Sequence, residues 1–420
     1  MTDTIKHRIE KIRRGDVPEG YRKAFWGIVP KSWQESRIDR ICALSSGSTP
    51  RRDTAENFYG NILWVTSGEL KRKTIWDTRE KISETAVANS HLQMYNPGTV
   101  VIAIYGLEAE GIRGTVSIIG KRCTISQACI AFTEFKGIEN EFFYYWYLNN
   151  GQVIGLRYAQ GTKQQNLSSD IVGAFPIYFP RQEEQKKIVT FLSTQDRLIE
   201  LKEKRLVEKY RQKKYLMQQL LTGKRRLPDF EGTWKYIPAR EIFKSITDKK
   251  HSGDLQVLSS TQDRGIVPRD QVGIDIKYEA DSLSSYKKVE KGNFVISLRS
   301  FQGGIEYSDY TGIVSPAYTV LKSIEKISDE YYKQFFKSTD YINRLNIAVY
   351  GIRDGKQISY EDFGRIKIPY PSLNEQTAIA KVLSTADREI DLLRQDIEQE
   401  KQKKKALMQL LLTGIVRVQA

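Results

Sequence analysis

One stretch of 44 residues occurs twice in this chain, so whatever fold it adopts must accommodate two copies of the same structural unit. PRQEEQKKIVTFLSTQDRLIEL at residues 180–201 returns as PSLNEQTAIAKVLSTADREIDL at 371–392. KKYLMQQLLTG at 213–223 returns as KKALMQLLLTG at 404–414. A single offset of 191 residues holds without a gap, and 20 of the 44 pairs are identical. Upstream, Leu167-Ser168 lies opposite Ile358-Ser359 at the same offset, after Asn166 and Gln357. A fainter echo precedes each half, where Trp26-Gly-Ile-Val-Pro30 resembles Trp234-Lys-Tyr-Ile-Pro238. That echo has an offset of 208, which makes the first half 17 residues longer than the second. The chain reads as two similar half-units in tandem.

Each repeat predicts one long helix. Ile188, Leu192, Ile199, Leu206, Met217 and Leu220 keep a period of about 3.5–3.6 residues, and their partners Ile379, Leu383, Ile390, Ile397, Met408 and Leu411 repeat it. Pro180 and Pro371 stand just before the pattern, and Gly223 and Gly414 where a helix would stop. At 1.5 Å per residue each rod would be roughly 60 Å long. Gln195, Lys202 and Lys209 dilute the apolar stripe, so a lone rod would be marginal and needs a partner. The economical partner is the other copy, as an antiparallel coiled coil. The alternative is that each rod packs only on its own domain.

Residues 30–170 and 238–360 predict mixed α/β globular domains, with short apolar strands broken by glycine at 62–65, 99–105, 115–119, 294–298 and 313–321. An aromatic-rich helical stretch ends each, at 141–148 and 330–336. Matched rods carrying divergent globular parts imply a shared frame that presents two different binding surfaces.

Charge points to a polyanion. There are 66 Lys and Arg against 51 Asp and Glu, a formal +15, and 40 % hydrophobic residues supply packed cores. Glycine-bearing basic loops offer Arg51, Arg52, Lys71, Arg72, Arg113, Lys163, Gln164, Gln165 and Asn166 in the first half. The second half offers Arg299, Gln302, Arg353, Lys356 and Gln357. Arg, Gln and Asn pair bidentately with base edges, while most contacts of such a set go to phosphates. Taken singly, each of these is also what a solvated loop charge looks like.

Catalytic patterns are weak. No phosphate-binding Gly-x-x-x-x-Gly-Lys-Ser/Thr loop occurs, and His7, His91 and His251 are scattered without zinc spacing. Asp53 with Glu69-Leu-Lys71 loosely resembles a metal-dependent nuclease, and Ser315-Pro-Ala-Tyr318 an amino-methyltransferase box without its second proline. Both read as structural. Cys42, Cys123 and Cys129 form no metal-like pair, and their odd number argues against a disulfide framework. Residues 1–15 are polar, with no signal-peptide hydrophobic region, and no apolar run approaches a membrane span, so a cytoplasmic protein is expected.

The order of these features resembles the specificity subunits of type I restriction-modification enzymes. The likeness rests on the Trp26 to Pro30 entry, Gly47-Ser-Thr-Pro50, Trp64-Val-Thr-Ser-Gly68, Pro97-Gly-Thr99, and the repeated Glu-Gln, Leu-Ser-Thr, Asp-Arg and Leu-Leu-Thr-Gly elements of the rods. It implies an N-terminal segment (1–29), target-recognition domains at 30–179 and 224–370, and helical spacers at 180–223 and 371–420. Each domain would read one half of a split, asymmetric DNA sequence, the rods setting the gap in a pseudo-twofold arrangement. Two methylation subunits would dock on the rods, and restriction subunits would join them. S-adenosylmethionine, ATP and magnesium would belong to those partners, leaving this chain without a catalytic site or cofactor. The alternatives are a coiled-coil scaffold that ignores DNA and a self-contained nuclease or methyltransferase.

Overall fold

The computed structural model describes residues 3–104, 114–157, 167–251, 255–272, 280–298, 300, 304–348 and 358–418. Two compact units emerge. One comprises residues 1–201 with 397–420, the other residues 202–396. Both repeats are helices of 39 residues, Gln182–Leu220 and Leu373–Leu411, called here the first and second rods.

In the first unit a five-stranded mixed sheet runs Ala43–Ser46, Cys129–Thr133, Val100–Ala103, Val116–Ile119, Thr74–Ile75, antiparallel except for its last pair. A three-stranded sheet of Cys123–Ile125, Ile62–Val65 and Lys81–Ile82 covers part of it. The Asn140–Arg157 helix buries Phe142, Phe143, Tyr144, Tyr145, Trp146 and Tyr147 in one core with Ile188 and Leu192 of the first rod and Met408 and Leu411 of the second.

The second unit has a four-stranded antiparallel sheet, Phe243–Ile246, Thr319–Ser323, Phe294–Ile296, Glu306–Tyr307. The Asp329–Phe335 helix packs its aromatics with Leu220 and Leu221 of the first rod and Ile379 and Leu383 of the second. The segment 313–321, read in the sequence as one strand, is two. A tight turn at residues 315–318, closed by Tyr318 N donating to the Ser315 carbonyl (3.0 Å), separates Gly312–Val314 from Thr319–Ser323.

Within each unit the rods lie side by side and antiparallel. In the first unit Gln195 donates to the Glu400 carboxylate (2.6 Å), and Lys404 pairs with Asp196 (2.5 Å). In the second, Lys202 pairs with Asp396 (2.8 Å), Lys209 with Glu389 (2.6 Å) and Lys213 with Asp387 (2.5 Å). The residues that dilute the apolar stripe are therefore the ones that cross between helices. Rod ends also belong to the globular cores, so pairing with the other rod and packing on a domain coexist.

The duplication extends to the joints. Gln185 accepts from Glu139 N (2.8 Å) and donates to the Pro180 carbonyl (2.9 Å); Gln376 accepts from Ser328 N (2.9 Å) and donates to the Pro371 carbonyl (2.9 Å). Ser168 and Ser359 cap equivalent short helices, accepting from Ile171 N (3.2 Å) and Asp362 N (3.1 Å). Arg417 grips Glu184 with two hydrogen bonds (2.7 and 2.6 Å), as Arg226 grips Glu375 (2.5 and 2.7 Å). These joints correct the entry echo. Arg417 lies 6.0 Å from the Trp33 ring and Arg226 5.5 Å from the Trp234 ring, so the partner of Trp234 is Trp33. The strands that follow agree, Gln34–Arg37 pairing with Pro176–Phe179 and Lys235–Pro238 with Lys367–Tyr370. The true offset is 201, and the Trp26 to Pro30 segment instead enters a hairpin with Tyr21–Ala24. A short aromatic-aliphatic-proline string was too weak a signal to fix the register.

Two glycines carry equivalent constraints. Gly114 (φ +81°) would place a Cβ 2.0 Å from the Gly151 carbonyl oxygen, and Gly304 (φ +82°) one 2.0 Å from that of Phe336. Left-handed backbone and a backbone clash act together there, so Gly304→Ala costs about 2–4 kcal/mol. Gly232 (φ +81°) has nothing within 4 Å of its Cβ position. Gly304→Ala should therefore lower the thermal unfolding midpoint by several degrees more than Gly232→Ala; equal shifts would contradict the close approach.

Candidate nucleic-acid interface

Of the basic-loop residues singled out in the sequence, Arg51, Arg52, Lys71 and Arg72 fall on described residues. Arg113, Lys163, Gln164, Gln165, Asn166, Arg299, Gln302, Arg353, Lys356 and Gln357 lie outside them. Arg51 is exposed, its carbonyl accepting from Asn57 Nδ2 (3.0 Å). Arg52 makes a bidentate pair with Glu80 (2.6 and 3.0 Å) and lies over the rings of Phe58 (4.5 Å) and Trp64 (5.1 Å). That pair ties the 51–59 loop to the 71–81 segment, so Arg52 shapes the surface as well as standing on it. The guanidinium holds the Glu80 carboxyl below the usual carboxylate range.

Lys71 and Arg72 are exposed and follow the short 3-10 turn Ser67–Glu69 rather than a strand. The Arg72 carbonyl accepts from Ser117 Oγ (2.7 Å), fixing the backbone while the side chain stays in solvent. The next residue, Lys73, turns inward to Glu141 (2.8 Å) and Tyr145 (3.0 Å). The same 51–81 stretch carries two exposed aromatics, Tyr59 (78 %) and Trp76 (68 %). Lys81 pairs with Asp77 (3.0 Å), and Lys121 adds a second positive charge to that carboxylate's surroundings. Exposed rings among cations suit a polyanion with flat bases.

A counterpart in the second unit escaped the sequence reading. The Ala43–Ser46 strand leads into the loop bearing Arg51, and the equivalent Phe243–Ile246 strand leads into Lys249, Lys250 and His251. Lys249 and Lys250 are exposed, and the loop is pinned by Lys288 N donating to the Asp248 carbonyl (2.7 Å). Lys287 donates to the Tyr318 carbonyl (2.6 Å), and burial together with the Lys249 charge pulls its ammonium below the usual lysine range. The signal lay in strand position, which becomes visible only when both sheets can be aligned.

The rod residues are placed as follows. Ile188, Leu192, Ile199, Leu220, Ile379, Leu383, Ile390, Ile397, Met408 and Leu411 are buried, while Leu206 and Met217 are half-buried. Phe191 (58 %), Tyr215 (52 %) and Leu392 (56 %) stay exposed on the rods.

The weak catalytic patterns are occupied structurally. Glu69 accepts from Thr66 N (2.8 Å) and Arg79 N (2.6 Å), which uses its carboxylate in a capping box. Ser315 to Tyr318 is the turn described above. Among the described residues no three His, Cys, Asp or Glu side chains gather as metal ligands, and no helix is long and apolar enough to cross a membrane.

The family described as the type I restriction modification DNA specificity domain matches twice, over residues 30–208 and 233–402. The type I restriction enzyme MjaVIII specificity subunit of Methanocaldococcus jannaschii is 25 % identical over 429 residues, covering 95 % of this chain and 96 % of that protein. The MjaIX specificity subunit of the same organism is 30 % identical over 182 residues, 42 % of this chain and 41 % of that one. Among solved structures, a type I restriction-modification S subunit from M. genitalium aligns over 90 % of this chain and 96 % of its own (TM-score 0.53, 15 % identity). A chain from a structural study of complex assembly and conformational transition in the type I R-M system aligns over 92 % of this chain and 99 % of its own (TM-score 0.57, 15 % identity).

The three cysteines belong to the cores. Burial pushes the Cys42, Cys123 and Cys129 thiols up to about 12, so only about one part in ten thousand is thiolate at pH 8. Iodoacetamide at that pH should leave all three unmodified in the folded chain and alkylate them in urea; rapid labelling of folded protein would contradict their placement. With duplicated joints, two unlike sheets and family matches over both halves, the chain belongs to the family of type I restriction-modification DNA specificity subunits.

Proposed function

We propose that this chain is the DNA-reading subunit of a type I restriction-modification complex, each globular domain reading one half of a split, asymmetric target. The observation that carries the reading is the double family match laid on a duplicated frame whose two sheets differ. Identical joints with unlike surfaces are what two different half-sites on one scaffold require. The basic residues Arg51, Lys71, Arg72, Lys249 and Lys250 fit phosphate contacts, which position the domains, while side chains of the remaining loops read base edges. Neutralising several phosphates per domain makes binding steeply salt-dependent.

In this reading the methylation subunits dock on the rods, whose exposed Phe191, Tyr215 and Leu392 give them apolar anchors, and restriction subunits join the complex. Methyl transfer with S-adenosylmethionine and ATP-driven, magnesium-dependent cleavage then belong to those partners, and the assembly works in the cytoplasm.

Co-expression with a methylation subunit, followed by mapping of methylated adenines, tests this reading. One split motif is expected, and replacing residues 30–170 with the corresponding domain of a relative should change one half-site only. Alteration of both halves, or methylation indifferent to this chain, would refute it. The rods carry a separate expectation. Four residues inserted after Leu201 and after Asp396 add about 6 Å. That lengthening should widen the preferred gap by about two base pairs and leave both half-sites unchanged; an unaltered gap would show that the rods are not the ruler.

A further inference from the structure

The ion pairs between the rods are of two kinds, and the difference determines which helices can pair. The outer pairs, Lys404 with Asp196 (2.5 Å) and Lys213 with Asp387 (2.5 Å), are copies of each other at the 191-residue offset. The central pairs are not duplicated. Lys202 meets Asp396 (2.8 Å), but the repeat-equivalents of those residues are Leu393 and Arg205. Lys209 meets Glu389 (2.6 Å), but their equivalents are Glu400 and Leu198. Arg205 and Leu393 line one groove with Lys209, Glu389, Leu392 and Asp396, of about 410 Å³, where the same antiparallel register puts them.

Shifting residues by the repeat offset gives the contacts that two copies of one rod would make in this register. Two first rods would set Lys202 against Arg205, twice by symmetry. Two second rods would set Glu400 against Glu389, also twice. The outer pairs would survive in both cases, Lys213 facing Asp196 and Lys404 facing Asp387. The outer pairs thus hold any two rods together, while the central charges, with the Gln195–Glu400 contact (2.6 Å) whose repeat-equivalents are Ala386 and Lys209, distinguish a rod's own mate from a second copy of itself. Like charges set opposite one another raise the energy of the wrong partner.

We infer that the central charges make each rod selective for the other rod type, so that the chain closes first rod to second rod and rejects pairing between like halves of two chains. The rejected partner is a second copy of this chain, or a shorter chain with one similar rod; the accepted one presents acids at the positions of Glu389 and Asp396.

The test uses the folded full-length chain carrying a specific protease site at the exposed Pro228-Asp229 turn. After cleavage, isotopically light and heavy preparations are mixed and examined by native mass spectrometry. Complexes of one first half and one second half are expected to exceed like-half complexes about tenfold or more. Arg205→Glu leaves the Lys202–Asp396 pair intact and turns two repulsions between first rods into attractions, so complexes of two first halves should rise about tenfold. Like-half complexes as abundant as mixed ones in the unaltered protein, or no rise with Arg205→Glu, would overturn the inference. A second measurement needs no cleavage. Lys202→Glu should lower the melting temperature of the intact chain by about 2–4 °C, and adding Asp396→Lys should restore it. Absence of rescue would show that the central pair does not govern the match.

Discussion

Asp196 and Asp387 each stand where three elements meet, and the architecture of both units depends on that junction. Asp196 accepts from Lys404 of the opposite rod (2.5 Å) and from the Tyr145 hydroxyl of its own aromatic helix (2.5 Å). Asp387 accepts from Lys213 (2.5 Å) and from Gln334 (2.7 Å). A half-buried carboxylate with two oxygens and two donors is satisfied only when domain, own rod and opposite rod are all in place. Removing any one leaves a half-buried polar group short of a partner, most costly at Asp196, the less exposed of the two. In the first unit the chain of contacts continues from Tyr145 to Lys73, the residue after the exposed Lys71 and Arg72. The exposed edge that carries Lys71 and Arg72 is thereby braced against the helices.

The rods show how a weak apolar stripe can still specify one pairing. Helix propensity alone would leave a rod with mid-length lysines marginal. Burial of Ile199, Ile390 and Ile397 supplies attraction without direction, while Lys202, Lys209, Gln195 and their acceptors supply register. Partly exposed ion pairs contribute little net stability. Their value lies in what they forbid, because a slipped or exchanged helix meets a like charge.

Legibility in the sequence followed the strength of periodic signals. The rods and their stops at Gly223 and Gly414 could be read because a 191-residue self-match and a helical period reinforce one another; ten of the twelve stripe residues are buried, and Leu206 and Met217 are half-buried. The strands Ile62–Val65, Val100–Ala103, Val116–Ile119 and Phe294–Ile296 were legible as apolar runs, while short or polar strands such as Gln34–Arg37, Thr74–Ile75 and Lys81–Ile82 carry no such run and were not. The turn at Ser315 to Tyr318 was not, because a proline-bearing apolar run does not reveal where hydrogen bonding breaks off. The entry register failed for a related reason: Trp26 and Trp33 stand close together in sequence, and the contact with Arg417 and the pairing of the strand that follows tell which one matches Trp234. The second basic loop, with Lys249 and Lys250, was missed because its equivalence to the Arg51 loop rests on strand order rather than on residue identity. Arg52 looked like a free cation, yet its pairing with Glu80 joins segments 28 residues apart.

Why the domains could diverge while the rods did not follows from the chemistry of the joints. Gln185 and Gln376 are held by backbone atoms, the amide groups of Glu139 and Ser328 and the carbonyls of Pro180 and Pro371. The edge turns of the two sheets are held the same way, Gly98 N donating to the Ile119 carbonyl (2.8 Å) and Gly292 N to that of Ser308 (3.0 Å). A backbone donor or acceptor is present whatever side chain sits on it, so the domain side of such a joint tolerates substitution. The rod side is more constrained, because its side chain must reach both backbone partners and accept from one while donating to the other, as the amides of Gln185 and Gln376 do. Identity therefore accumulates on the rods and is released on the domains.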